Sequence, residues 1–377
     1  MGKEFIHRDI TAVMLEMYQY FPVITMTGPR QSGKTTLLRN VFKQLPYYSL
    51  ENLDVRRFAL NDPVGFLTQH PEGMILDEVQ NAPDLLSYIQ GMVDETPEKR
   101  FVLSGSSQFS VIRQITQSLA GRTGVLELLP LSYSEVKKEA DEETLDSVIL
   151  KGFFPALYAG KNIFNLLYPS YVKTYLERDV RDLLQIKDLM QFQTFLRLCA
   201  GRIGSLFNAS ELSGEVGVSA NTIKSWLSVL EASYIITMLP PFYENTRKRL
   251  TKTPKLYFCD TGLACYLLGI ETEQQRARDK MRGHLFENFI ITEALKCRYN
   301  KGKESNLYFY RDSNGVEVDL LIKNGSDYTA VEIKSSQTYH PDFQAGIRTL
   351  GSVMKERITN KVILYAGDFE NETADIK

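Results

Sequence analysis

Cysteine is scarce and scattered. The chain of 377 residues has four, Cys199, Cys259, Cys265 and Cys297, with no C-x-x-C pair. That spacing excludes a disulfide framework and a cysteine-held zinc site, and it fits a reducing compartment, the cytoplasm. No apolar run approaches the roughly 18 residues that a membrane span needs, and the opening MGKEFIHRDI has no apolar signal core. A soluble protein without membrane contact is expected. Neither sign of charge prevails, the net value being −2, so contact with nucleic acid would need a local basic patch. With 43% hydrophobic and 24% charged residues over this length, the composition is that of a globular chain of two or three domains. Internal repeats and low-complexity segments are both lacking.

The strongest signal present is VITMTGPRQSGKTTLL. An apolar run, Val23 to Thr27, predicts a buried parallel strand, and a helical pattern follows the motif. Between them stands Gly28-Pro29-Arg30-Gln31-Ser32-Gly33-Lys34-Thr35, followed by Thr36, a complete G-x-x-x-x-G-K-[ST] in its required strand-to-helix context. Glycines let backbone N–H groups close around phosphate oxygens, and the helix N-terminus adds positive character. Lys34 is expected on the β/γ-phosphates and Thr35 on Mg²⁺. In GMILDEVQ the apolar run ends in Asp77, expected to hold Mg²⁺ through water, and Glu78, expected to orient the attacking water. RFVLSGSSQF is a further buried strand ending in hydroxyls, where Ser104 or Ser106 would read the γ-phosphate or simply make a turn. Arg122, before a fifth strand, would act on a neighbour's ATP across a subunit boundary of a homo-oligomer, or be structural.

These segments, with GPRQSGKTTLL, LDEVQNAPDLL, LSGSSQF and SLAGR, resemble the AAA-type P-loop ATPases of bacteria and archaea. In that group the ATPase domain precedes a C-terminal domain of obscure function. FFPALY, PKLYFCDTGLACYL and RGHLFENFI extend the resemblance over nearly the whole chain. It implies a P-loop fold, ATP and Mg²⁺, and names no substrate.

In the middle, ASELSGEVG predicts a short helix ended by Gly217, and SANTIKSWLSVLEASY a second one with Ser219 as N-cap. Two such helices around a glycine turn form a helix-turn-helix pattern. Ile223, Trp226, Leu227 and Leu230 make the core stripe of the second, which leaves Asn221, Thr222, Lys224 and Ser225 off it, facing a DNA groove. The segment YENTRKRLTKTPKLYF carries Arg247, Lys248, Arg249, Lys252 and Lys255 where a winged helix has its wing. Phosphate contact is one reading of that cluster, and a solvated loop on a protein-contact module is the other.

The last hundred residues read as helix, three strands, helix and strand, the core order of the PD-(D/E)XK nucleases. Asp319 falls on the second strand, Glu332 and Lys334 on the third, and Glu287 on the first helix. Strand residues two apart share a face, so Glu332 and Lys334 project together, with Asp319 reaching them across the hairpin. The acids Glu287, Asp319 and Glu332 would hold Mg²⁺, and Lys334 would position water or stabilise developing charge. A solvated hairpin face is the alternative.

The expected fold class is therefore α/β: a P-loop NTPase with a parallel sheet over 1–135 and a helical lid or linker over 136–190. A winged helix-turn-helix over 191–275 and a PD-(D/E)XK-like αβββαβ domain over 276–377 follow. The expected function is an ATPase that binds and cleaves DNA. Its rivals are an ATP-regulated DNA- or protein-binding switch with a non-cleaving nuclease fold, and a signalling or toxin-associated ATPase.

Overall fold

The structure is a computed structural model that describes residues 5–106, 118–139, 143–159, 163–176, 188–242, 252–371 and 376. In the front unit five strands form one sheet: β1 (Val23–Thr27), β2 (Tyr47–Ser49), β3 (Gly73–Asp77), β4 (Arg100–Gly105) and β5 (Thr123–Glu127), in the order β2-β3-β4-β1-β5. Every neighbouring pair is parallel. Parallel strands are covered on both faces, which is why β1 and β3 are apolar runs buried at every position. Helices α1 (Thr11–Tyr20), α2 (Lys34–Val41), α3 (Leu53–Asn61), α4 (Pro63–Thr68) and α5 (Leu85–Glu95) accompany the sheet. Two cores result, one containing Val23, Phe66, Leu76 and Phe101, the other Ile24, Leu37, Ile75 and Leu128. Successive residues of one strand thus feed opposite cores.

The middle contains α6 (Tyr133–Glu139), α7 (Leu145–Lys151), α8 (Phe164–Tyr171) and α9 (Leu189–Ala200). Then come α10 (Ala209–Val216) and α11 (Ala220–Ala232), joined by a turn at Gly217, whose φ is 78°. Asn208 and Ser219 cap the two helices through their side chains. An antiparallel hairpin follows, β6 (Ile236–Leu239) with β7 (Lys255–Phe258), and Leu206 bridges to Lys255 on its free side. Ile223, Trp226 and Leu230 are buried, whereas Asn221, Lys224 and Ser225 are exposed. Thr222 is half-buried, its hydroxyl sharing a hydrogen bond with Ser219. Arg247, Lys248 and Arg249 lie outside the described residues, and the exposed Lys252 stands just after them. The stretch expected as a separate lid shares a single core with the helix-turn-helix and the C-terminal unit, a core that includes Phe153, Tyr168, Phe195, Trp226, Phe258 and Phe289.

After α12 (Thr261–Leu268) and α13 (Glu273–Arg278), the C-terminal unit is α14 (Arg282–Tyr299), β8 (Leu307–Arg311), β9 (Glu317–Asn324), β10 (Asp327–Lys334), α15 (Ala345–Met354) and β11 (Ile358–Tyr365). Strands β8, β9 and β10 form an antiparallel meander, and β11 joins β10 in parallel. The helix, three strands, helix and strand stand in the order the sequence pattern predicts. Among the described residues no helix is long and apolar enough to cross a membrane.

Candidate nucleotide site and C-terminal acid cluster

The loop between β1 and α2 folds as it does because glycine alone fits its ends. A Cβ on Gly28 (φ 150°) would lie 2.1 Å from the carbonyl oxygen of Leu128. Gly33 (φ 93°) begins α2 in the left-handed region. Lys34, only 5% exposed, folds back and donates to the carbonyls of Gly28 and Pro29, each at 2.8 Å. These are the partners that phosphate oxygens would displace. Thr35 Oγ1 donates to Asp77 Oδ2 at 2.7 Å, so a hydroxyl and a carboxylate from different elements already converge. Such a pair of hard oxygen ligands beside a phosphate-binding loop fits Mg²⁺.

Around them opens a cleft of about 820 Å³, within the range that holds a nucleotide. Arg30, Gln31, Thr36, Glu51, Asp77 and Glu78 contribute to its wall, together with Pro155 and Thr174 of the middle unit. Glu78 sits in the left-handed region (φ 57°, ψ 50°), an uncommon place for a glutamate. There it accepts from Ser106 Oγ at 3.0 Å and from Gln80. Ser104 donates to Asp77 and is fully buried. Both hydroxyls thus steer the acids and neither lines the cleft wall. Ser32, within the loop, is fully buried.

Arg122 is placed elsewhere. It stands at the amino end of β5, opposite the end where the loop lies, and grips Asp94 through Nε at 2.6 Å and Nη2 at 2.8 Å. Within one chain it does not reach the nucleotide cleft, because parallel strands put their carboxyl ends, not their amino ends, at the site.

Three contributors carry no sequence signal. Arg8, almost wholly buried, donates to the carbonyls of Ser32 (2.9 Å) and Leu129 (2.8 Å) and pairs with Glu135 at 3.1 Å, which braces the phosphate loop from below. Tyr47, on the short strand β2, donates to Asp77 at 2.7 Å. Gln80 shares Glu78 with Ser106.

Burial pushes the Lys34 ammonium down to about 8, although Glu78 and Asp77 pull it back up. Two consequences follow. In the free protein this lysine sheds its proton above pH 8, while the unfolded chain keeps it up to the ordinary value of 10.5, so this group makes stability rise with pH across that window. A bound polyphosphate favours the charged ammonium, so nucleotide binding takes up a proton above pH 8. Affinity should be flat from pH 6.5 to 7.5 and fall by up to about tenfold per unit beyond pH 8. Calorimetry in buffers of different ionisation heat measures that proton directly.

The loop strand is also tied to the middle unit. Thr27 Oγ1 and the Tyr234 hydroxyl share a hydrogen bond of 2.7 Å, and Tyr234 donates onward to Glu127 at 2.9 Å. Tyr234 itself has φ 57° and immediately precedes the segment entering β6.

In the C-terminal unit the regular β9–β10 register runs as far as Leu320 opposite Val331. Asp319 then accepts the backbone N–H of Ile333 at 2.8 Å instead of continuing the ladder, and this brings it beside Glu332. Lys334 Nζ lies 2.5 Å from Glu332 Oε1 and 3.6 Å from Asp319 Oδ2. Glu287 comes from α14 and accepts from Tyr257 at 2.5 Å. Burial, then the charge of Asp319, pushes the Glu332 carboxyl up to about 7, and burial likewise raises Glu287.

The sequence pattern expects Glu287, Asp319 and Glu332 to hold Mg²⁺. Among the described residues no group of three or more histidine, cysteine or acidic side chains is arranged to hold a metal ion. The physical reason is that lysines fill the cluster. Lys255 of β7, 2% exposed, lies 3.1 Å from Glu287 and 2.5 Å from Glu317, while Lys334 occupies the other pair. The lysine partner from β7 carried no signal, since the sequence pattern assigned Lys255 to the wing.

Comparison with known proteins agrees on the front unit. Residues 20–137 match a family model described as an AAA domain, and 142–274 and 282–377 match two described as domains of unknown function, DUF8612 and DUF4143. An uncharacterized protein of Mycobacterium tuberculosis is 28% identical over 374 residues, covering 98% of this chain and 82% of that protein. One from Methanocaldococcus jannaschii is 20% identical over 408 residues, covering 99% and 88%. Among solved structures, a Walker-type ATPase of Pyrococcus abyssi is similar at a TM-score of 0.48 and 14% identity, over 70% of this chain and 96% of that one. AMPPCP-bound DnaA from Aquifex aeolicus follows at 0.31 and 14%, over 59% and 85%. The front unit is thus the part of the chain that matches an AAA domain.

Proposed function

We propose that the protein hydrolyses ATP with Mg²⁺ and uses the nucleotide cycle to control DNA engagement by its middle and C-terminal units. The observation that carries this reading is the meeting of Lys34, Thr35, Asp77 and Glu78 at one cleft, where the first two residues open α2 and the acids stand at and just after the end of β3. When bound between Thr35 and Asp77, Mg²⁺ supplies charge that offsets the phosphates. Lys34 leaves the two carbonyls for the β/γ-phosphates, and Glu78, held by Ser106 and Gln80, accepts a hydrogen bond from the attacking water. The Thr27–Tyr234 contact gives the loop strand a route to β6 and β7.

DNA would be met by α11, through the exposed Asn221 and Lys224 and the half-buried Thr222, and by the basic segment containing Arg247, Lys248, Arg249 and Lys252. Neutralising Arg247, Lys248 and Arg249 together should weaken binding and reduce the salt slope by up to about 3, since each phosphate contact contributes roughly 0.9. Fluorescence anisotropy across a salt series tests it, and an unchanged slope would assign the segment to protein contact. Cleavage belongs to the same reading. If it occurs with Mg²⁺ or Mn²⁺, Asp319→Asn, Glu332→Gln and Lys334→Ala should each remove it and leave ATP hydrolysis nearly intact. A second reading, a switch whose nuclease-like unit grips DNA without cutting, is favoured by the lysines that fill the acid cluster. Absence of cleavage by the wild type under either metal would establish it.

A further inference from the structure

The end of α11 carries a residue that its geometry does not favour. Tyr234 donates its backbone N–H to the Glu231 carbonyl, and Ile235 donates to that of Leu230, both at 2.9 Å. These are the paired bonds of a Schellman helix end, which puts one residue in the left-handed region, usually a glycine. Glycine takes that place at Gly217 after α10 and at Gly269 after α12, with φ of 78° and 73°. After α11 the residue is Tyr234, buried, with φ 57°. A large side chain persists in that region only where its surroundings hold it, and such residues cluster at functional sites.

What holds this one is its hydroxyl. The Tyr234 O–H donates to Glu127 Oε1 at 2.9 Å, and its oxygen lies 2.7 Å from Thr27 Oγ1. A hydroxyl has one hydrogen and an ionised carboxylate only accepts, so Thr27 donates to the tyrosine oxygen. The chain of bonds therefore runs one way, from Thr27 to Tyr234 to Glu127, and each bond polarises the next. Burial pushes the Glu127 carboxyl up, while hydrogen bonds from Tyr234 and from Tyr299, the last residue of α14, pull it back down. Thr27 is fully buried, ends β1 and precedes Gly28, the first residue of the phosphate loop. Its carbonyl accepts from Leu128 at 2.8 Å, so β5 ties the start of the loop by backbone and α11 ties it by this hydroxyl.

We infer that Tyr234 is a positioning residue for the nucleotide: its hydroxyl, anchored on Glu127, fixes Thr27 so that the loop is shaped before phosphate arrives. This rests on the reading of the loop as an ATP site. Thr27, Glu127 and Tyr234 do not line the nucleotide cleft, so the effect passes through the backbone of Thr27 and Gly28.

The test is calorimetric ATP binding with Mg²⁺, well below the melting temperature, by the wild type, Tyr234→Phe, Thr27→Val and the double variant. Each single variant should bind about three- to tenfold more weakly, the worth of one neutral hydrogen bond. The double variant should be no weaker than the weaker single, because both changes remove the same contact. Thr27→Ser keeps the donor and should bind as the wild type does. Hydrolysis at saturating ATP should stay nearly unchanged throughout, since Glu78 is untouched. A purely structural tyrosine would give another pattern: Tyr234→Phe would melt lower yet bind ATP as tightly as the wild type, and that would overturn the proposal. Additive losses would overturn it too, because the hydroxyl would then not act through Thr27. No ATP binding by the wild type would overturn the ATP reading and the positioning role with it. Should Tyr234→Phe fail to fold, Thr27→Val against Thr27→Ser decides the matter, and equal affinities would count against the proposal.

Discussion

Lys34→Ala should lose ATP binding by about two orders of magnitude and hydrolysis altogether. The ammonium is nearly fully buried and satisfied by two carbonyls at 2.8 Å, so it waits in the loop with no other role than to meet negative charge. Hydrogen bonds to charged groups contribute roughly 1.5–3 kcal/mol each, and two of them to the β/γ-phosphates account for a loss of that size. The fold should survive, because alanine is a good helix former at the first position of α2 and the carbonyls of Gly28 and Pro29 can turn to water. Equilibrium binding of a fluorescent nucleotide and phosphate release measure the two effects. Normal hydrolysis by this variant would refute the site.

Glu78→Gln should behave in the opposite sense, keeping nucleotide affinity and losing turnover by roughly 10²–10⁴-fold, the usual contribution of a positioned base. The glutamate's backbone is held in the left-handed region and its carboxylate is gripped by Ser106 and Gln80, so its aim is fixed before nucleotide arrives. Glutamine fills the same space but does not accept a proton. Single-turnover hydrolysis, with binding measured in parallel, separates it from Lys34→Ala. Equal loss of affinity in both variants would make Glu78 a structural partner of Gln80 instead.

The front unit was legible in the sequence because its chemistry is local. A buried strand, a glycine-framed loop and a helix start are contiguous, and Asp77 and Glu78 follow an apolar run that ends where the sheet ends. Arg8 was not legible: it reaches the loop from the N-terminal segment through carbonyls at Ser32 and Leu129, and a lone arginine has no pattern. Tyr47 sits on a strand of three residues, too short to show a period. The helix-turn-helix core stripe at Ile223, Trp226 and Leu230 was plain from its spacing. In the C-terminal unit the strand positions of Asp319, Glu332 and Lys334 were plain from alternation, yet the state of the cluster was not. Lys255, 64 residues before Asp319 by numbering, enters it only through tertiary packing. Spacing finds acids that share a face, but it does not show which cation already lies between them.

The most direct test of the central claim is calorimetric titration of ATP into the wild-type chain, with and without Mg²⁺. The account predicts one nucleotide per chain, tighter binding when Mg²⁺ is present, and loss of that Mg²⁺ dependence in Thr35→Ala. Absence of nucleotide binding by the wild type with Mg²⁺, or binding that Thr35→Ala leaves unaltered, would contradict it.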